Sequence, residues 1–222
     1  MLILASHPDW VVVAKPAGLA VHRGDDTRDT TFLVQQVRDQ VGRRVWPVHR
    51  LDRGTSGAVW LSFDPAHLAD CQAALAAGEK RYVALVRGAA LSREPVEITN
   101  PMKDTKGILR EAATWARVLA TCEEPRCSLV LAKPRTGRFH QIRRHLRDLS
   151  HPVLGDGVHG DSRVNRIWRE ERGLGRLALH NLSLTVPAAG IDVRCPIPDD
   201  LRTVWSALPL WREALAALPE LE

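Results

Sequence analysis

The stretch HRLDRGTSG, His49 to Gly57, sets one carboxylate, Asp52, between two arginines on a Gly-bearing turn. Apolar runs stand on both sides, Val45 to Val48 before it and Ala58 to Phe63 after it, so the turn joins two strands. Loops held by rigid elements are where catalytic residues concentrate, which makes Asp52 a candidate reagent. The plainer reading is a turn acid paired with Arg50 or Arg53, and this stretch alone leaves both readings open.

Working outward, β-rich runs recur at Val11 to Lys15, Trp46 to His49, Ala58 to Phe63, Arg81 to Arg87, Thr114 to Leu119, Ser128 to Lys133 and Leu177 to Thr185. Asp64 followed by Pro65 reads as an N-cap and first helical position, with Gly78 as the stop, which predicts a helix from about Pro65 to Ala77. Thr31 to Val41, Ser162 to Glu171 and Leu210 to Leu218 are further helix candidates. Strands outnumber helices and do not alternate with them, so the class is α+β with a mixed sheet, not a doubly wound fold.

The chain has 222 residues, 45% hydrophobic and 26% charged, enough to bury one good-sized core. No segment approaches the ~20 apolar residues of a membrane helix, and the start MLILASHPDW lacks a basic leader region, which predicts a cytoplasmic protein. Cys71, Cys122, Cys127 and Cys195 show no C-x-x-C spacing and no compact disulfide framework, the pattern of reduced thiols.

A net charge of +5 permits an anionic partner, and its distribution is more telling. Lys133, Arg135, Arg138, Arg143, Arg144 and Arg147 lie in one acid-free run that could neutralise phosphates. Read as a helix, Phe139 to Leu149 places Phe139, Ile142, Leu146 and Leu149 on a buried face and His140, Arg143, Arg144 and Arg147 on another. A solvated helix face is the ordinary alternative.

Several motifs fail on inspection. Gly155, Gly157 and Gly160 form a literal G-x-G-x-x-G, but Asp156 would face a pyrophosphate and no βαβ unit surrounds it, so it reads as a turn. HRLD is not a kinase loop, since neither the Gly-rich phosphate loop nor D-F-G is present. His151, Asp156, His159 and Asp161 lack zinc-site spacing, and Ser56 has no G-x-S-x-G elbow and no assignable base.

Four stretches in order, KPAGLAVH (Lys15 to His22), HRLDRGTSG, KRYVALVRG (Lys80 to Gly88) and TGRFHQIRRHL (Thr136 to Leu146), closely resemble the RluA family of pseudouridine synthases. LGDGVHGDSRVNR at Leu154 to Arg166 and LALHNLSLTVP at Leu177 to Pro187 look most like its TruC-type tRNA members. The resemblance runs from the first strand to Pro187. It implies a single catalytic domain over 1–222, with a central mixed, largely antiparallel sheet flanked by helices and loops and an active-site cleft across it. No additional N-terminal RNA-binding domain of the S4 kind is expected, and 207–222 is expected to be a terminal helix or tail. The segment between Leu119 and Ser128 looks shorter than in TruC-type proteins.

Residue by residue, the resemblance makes Asp52 the catalytic aspartate, Arg143 its pairing arginine and Tyr82, the one tyrosine of the chain, the ring that lies against the target uracil. Arg50 matches the arginine that enters the space left by the flipped base, and Ile142 an apolar pocket position. Lys15 and Arg138 fall to loop structure or phosphate contacts, and Arg144 and Arg147 to RNA binding. His49 and His140 receive no catalytic role. Isomerising uridine moves one glycosidic bond from N1 to C5 without redox change, so no metal or nucleotide cofactor is implied. Asp52 could remove a ribose proton to give a glycal, or bond to C1′ or C6, and the residues do not choose among these routes. RNA is the expected partner, tRNA by the subfamily motifs and ribosomal RNA as the alternative, with no membrane and no obligate protein partner. Two other classes stand beside this: a catalytically silent RNA-binding relative, which should have lost one of Asp52, Tyr82 or Arg143, and a nucleoside hydrolase, which would release free base.

Overall fold

Three consecutive valines of the second strand, Val11, Val12 and Val13, are all at most 1% exposed, so this strand is covered on both faces and its run is continuously apolar instead of alternating. The computed structural model describes residues 1–23, 29–89 and 92–222. The chain begins with β1 (Ile3–His7), β2 (Trp10–Lys15), α1 (Leu33–Val41), β3 (Trp46–Pro47) and β4 (Ser56–Ser62). A short 3-10 turn at Pro65–His67 leads into α2 (Leu68–Ala77), and Asp64 caps that turn by accepting the Ala66 amide at 2.8 Å. Next come β5 (Glu79–Arg87), β6 (Val96–Ile98), β7 (Met102–Lys103), β8 (Leu109–Arg110), β9 (Thr114–Cys122) and β10 (Cys127–Pro134). The remainder is α3 (Gln141–Asp148), α4 (Ser162–Arg172), β11 (Leu179–Val186), β12 (Ile191–Arg194), α5 (Asp199–Ser206) and α6 (Trp211–Ala217). The class is α+β with a large, mostly antiparallel sheet, as the sequence predicts.

The chain divides into two compact units, the first made of Met1–Lys80 with Asn181–Cys195 and the second of Arg81–His180 with Pro196–Glu222. In the first unit β2 pairs with β1 on one side and β4 on the other, in register from Trp10↔Ser62 to Lys15↔Gly57. β12 pairs with β11 from Ser183↔Arg194 to Val186↔Ile191. Trp10, Val12, Val48, Trp60, Leu75, Leu184, Val186 and Ile191 form one core, with Trp10 edge-on to Trp60 at 6.5 Å. Each such aliphatic burial contributes roughly 1.5–3 kcal/mol.

The second unit carries the antiparallel set β5, β10, β9 and β6, in which Leu129 stands between Leu85 and Ala120. β7 and β8 form a separate two-stranded hairpin. Helix α6 lies against β9, as the apolar spacing of Leu210 to Leu218 predicts for a terminal helix. The expected helix over Phe139 to Leu149 is shorter, Gln141–Asp148, and its buried face differs. Ile142 and Leu146 are buried as predicted, but Phe139 is 51% exposed and Arg143 6% exposed, the reverse of the prediction for these two. The cause is local: His140 takes a left-handed backbone, φ 56°, just before the helix, which turns Phe139 off the helical face.

Gly57, the last residue of HRLDRGTSG, is held at φ 128°, and a Cβ there would lie 2.4 Å from the Asn181 carbonyl oxygen. The Asn181 amide in turn donates to the Ala58 carbonyl at 2.9 Å. Gly57→Ala should therefore cost about 2–4 kcal/mol through backbone strain and overpacking. The check is urea unfolding followed by tryptophan fluorescence, which Trp10 and Trp60 report, and an unshifted midpoint would show that the strand has room to move.

Candidate active site

In the first unit the Asp52 turn is braced from three directions. Thr55 donates its amide to the Asp52 carbonyl at 3.0 Å, and Gly18 donates to the Arg53 carbonyl at 2.8 Å. Lys15, 1% exposed, donates its ammonium to the carbonyls of Pro16, Leu19 and Arg53 at 2.9, 2.7 and 3.3 Å. That is the geometry of a clamp on the loop, and it corresponds to the loop-structure half of the expectation for Lys15. His49 accepts the Trp60 amide on Nε2 at 3.1 Å. Burial pushes the His49 imidazole down to about 3, with the Lys80 charge adding to the effect and a backbone hydrogen bond at Arg50 opposing it. A neutral ring is what an acceptor in this position requires. Arg53 forms an ion pair with Asp29 at 2.8 Å, and Arg50 is exposed. Asp52 itself is half-buried.

In the second unit Tyr82 lies on β5 opposite Ala132 and is 7% exposed. Ile142 and Arg143 lie on α3 and are both buried. The helix is locked by Gln141, whose side chain uses its full bonding capacity. Its oxygen accepts from Thr136 Oγ1 at 2.6 Å and the Arg138 amide at 3.0 Å, and its nitrogen donates to Ala113 O and Thr114 Oγ1, both at 2.9 Å. One turn on, His145 joins Thr114 Oγ1 at 2.8 Å and the Asn100 carbonyl at 3.1 Å. Arg138 donates to the Glu111 carbonyl, Arg144 to those of Lys103 and Phe139, and Arg147 pairs with Asp148.

Arg143 makes a two-pronged ion pair with Asp156: Nε to Oδ2 and Nη2 to Oδ1, each 2.7 Å. The carboxylate is completely buried and also accepts the amides of Val158 and His159 at 2.9 and 3.0 Å. Burial alone would raise the Asp156 carboxyl, but the hydrogen bonds from Arg143, His159 and Val158 outweigh it and hold it at about 2. From α4, Asn165 brackets the same loop, accepting the Gly155 amide and donating to the Asp156 carbonyl, both at 2.9 Å. A Cβ on Gly155, φ 76°, would lie 1.9 Å from the Arg176 carbonyl oxygen. The literal G-x-G-x-x-G is therefore a cradle for a carboxylate and not a cofactor loop.

Asp156 is the site residue that the sequence reading misses, because it treats the Gly-rich stretch as a turn. The only signal was chemical: one acid enclosed by glycines in a chain with an acid-free run of arginines. Among the described residues no cluster of His, Cys, Asp and Glu is arranged to hold a metal ion, and the four cysteines are free thiols.

The first unit thus presents a carboxylate on a clamped turn between strands, and the second a rigidly held, buried arginine. The family model for RNA pseudouridylate synthase matches residues 9–148, and the chain belongs to that family, whose members are isomerases that convert uridine to pseudouridine. It is of the RluA type that the ordered motifs resemble. A tRNA pseudouridine synthase C of Vibrio vulnificus is 36% identical, covering 90% of each chain. The protein of that name from Salmonella typhi is 41% identical, covering 85% of this chain and 81% of its own. Among solved structures, human RNA pseudouridylate synthase domain containing 1 superposes with a TM-score of 0.68 at 27% identity, covering 89% of this chain and 83% of its own.

Asp156→Ala leaves the Arg143 guanidinium buried without a counter-charge and should cost about 3–5 kcal/mol. The pH dependence has a definite sign. The folded Asp156 value of about 2 lies below the unfolded carboxylate value, so its contribution is complete above pH ~4 and is lost as pH falls through about 2. Acid unfolding of Asp156→Asn should therefore be flatter than that of the native protein between pH ~4 and ~2; parallel acid limbs would remove Asp156 from this account.

Proposed function

We propose that this protein isomerises a uridine of tRNA to pseudouridine, with Asp52 as the reacting carboxylate. The observation that carries the reading is the clamped Asp52 turn in a chain of the RNA pseudouridylate synthase family. The tRNA substrate is supported by relatives named tRNA pseudouridine synthase C at 36 and 41% identity over most of their length. A ribosomal RNA target is the alternative, and nothing in the structure favours it.

The reaction balances within the substrate. The C1′–N1 bond breaks, the base turns, C1′ joins C5, the C5 hydrogen leaves as a proton and N1 ends with one. Asp52 supplies the charge that engages the sugar or the ring. Arg143, oriented by Asp156, is assigned to keep that carboxylate ionised and in place, and Tyr82 to lie against the uracil. Extruding the nucleotide from stacked RNA costs a few kcal/mol, which Arg50 is assigned to offset by filling the vacated space. Arg138, Arg144 and Arg147 are assigned to phosphates, with a correspondingly steep salt dependence. No helix among the described residues is long and apolar enough to cross a membrane, and a cytoplasmic location accords with an RNA substrate.

Tritium release from transcribed tRNA labelled at uridine C5 tests the reading, with ribosomal RNA as the comparison. Release from tRNA is expected, and Asp52→Asn should lower turnover at least ~10⁴-fold while RNA binding persists, because the reacting group is removed and phosphate contacts remain. Release from ribosomal RNA alone would replace the substrate, and an active Asp52→Asn protein would overturn the mechanism.

A further inference from the structure

Phe139 is the one phenylalanine, tyrosine or tryptophan classed as exposed among the described residues, with 51% of its surface open. An exposed aromatic is ordinarily loose, but this one is held. Its ring stacks on the His140 imidazole with centroids 3.7 Å apart and planes 22° apart. His140 is fixed in its turn by the positive-φ backbone and by a hydrogen bond from one ring to the other, His140 Nδ1 to His159 Nε2 at 3.0 Å, with the His159 ring edge-on. His159 is anchored through its amide to the Asp156 carboxylate. The phenyl ring is thus the outermost layer of a stack whose base is the buried ion pair.

The surroundings of the ring are cationic. Arg138 precedes it, and Arg144 reaches back to its carbonyl and to that of Lys103. Arg138 and Arg144 both donate to backbone carbonyls, and neither has a carboxylate partner among the described residues, so their charges remain for an anionic ligand. A flat apolar surface between uncompensated guanidinium groups matches a ligand that is aromatic and anionic within one repeat, which is a nucleotide. A rigid ring also loses little conformational entropy when a second ring settles on it.

We infer that Phe139 is a stacking platform for an unpaired nucleobase of the RNA substrate. The inference rests on the reading of the substrate as RNA and adds to it a residue that selects by base stacking instead of by charge. Base-on-aromatic stacking is sequence-tolerant, because every base has a π-face.

The test compares the native protein with Phe139→Ala, Phe139→Leu and Phe139→Trp, measuring Kd for unmodified tRNA by fluorescence anisotropy and KM and kcat by tritium release. Ala and Leu should each raise Kd and KM about tenfold, with kcat within roughly twofold, whereas Trp should keep native values. The slope of log Kd against log salt should not change in any variant, since no phosphate contact is removed. Native Kd in Phe139→Ala, native Kd in Phe139→Leu, or a shallower salt slope would each overturn the inference. Failure of the substrate reading shows separately, as a native enzyme inert on tRNA but active on ribosomal RNA, and the four proteins are then compared on that RNA.

Discussion

The buried pair between Arg143 and Asp156 is the constraint around which the second unit is arranged. Removing two charges from water costs several kcal/mol per ion, and attraction repays this only when the geometry is good and the remaining bonding positions are filled. Here they are filled: the guanidinium meets the carboxylate in a fork at 2.7 Å, and two loop amides complete the carboxylate. This requirement explains neighbouring residues that otherwise look arbitrary. Asn165 from α4 and the positive-φ Gly155 shape the loop that presents Asp156, while Gln141 and His145 pin the helix that presents Arg143. The arginine consequently has one orientation.

The two units solve the problem of holding polar groups with different chemistry. Around Asp52 the first unit sets, beside the Arg53–Asp29 ion pair, one cation bound to carbonyls and one neutral acceptor: Lys15 gathers three loop oxygens, and uncharged His49 receives the Trp60 amide. The second unit places its acid deep and matches it one-to-one with an arginine. Arg138 and Arg144 are bound through carbonyls that carry no net charge, so these two members of the basic run keep their charge in the fold, whereas Arg135, Arg143 and Arg147 are paired with carboxylates.

Long apolar runs were legible, because the central parts of β2, β4, β5 and β10 are buried and rich in valine, leucine and alanine. The short strands β6, β7, β8 and β12 were not, since segments of two to four residues with one face in water carry too little pattern. Helix α3 was legible as a helix and in its buried Ile142 and Leu146, but not at Phe139 and Arg143. Periodicity assigns arginine to solvent and phenylalanine to the core, and here a carboxylate 13 residues downstream reverses the first while a left-handed histidine reverses the second. Ordered motifs carried the family, whereas Asp156 could be recognised only once the fold had closed the distance.

The first unit is discontinuous: residues 81–180 intervene between its two parts. The second part supplies Asn181, which packs against Gly57 and ties Ala58 at the foot of the Asp52 turn. At about 5–20 residues per second, a ribosome needs roughly 5–20 s to traverse that intervening stretch. Throughout this interval β4 lacks its neighbour β11, and the Asp52 turn has no floor. The floor of the Asp52 turn is therefore completed only once Asn181 has been made, long after the turn itself.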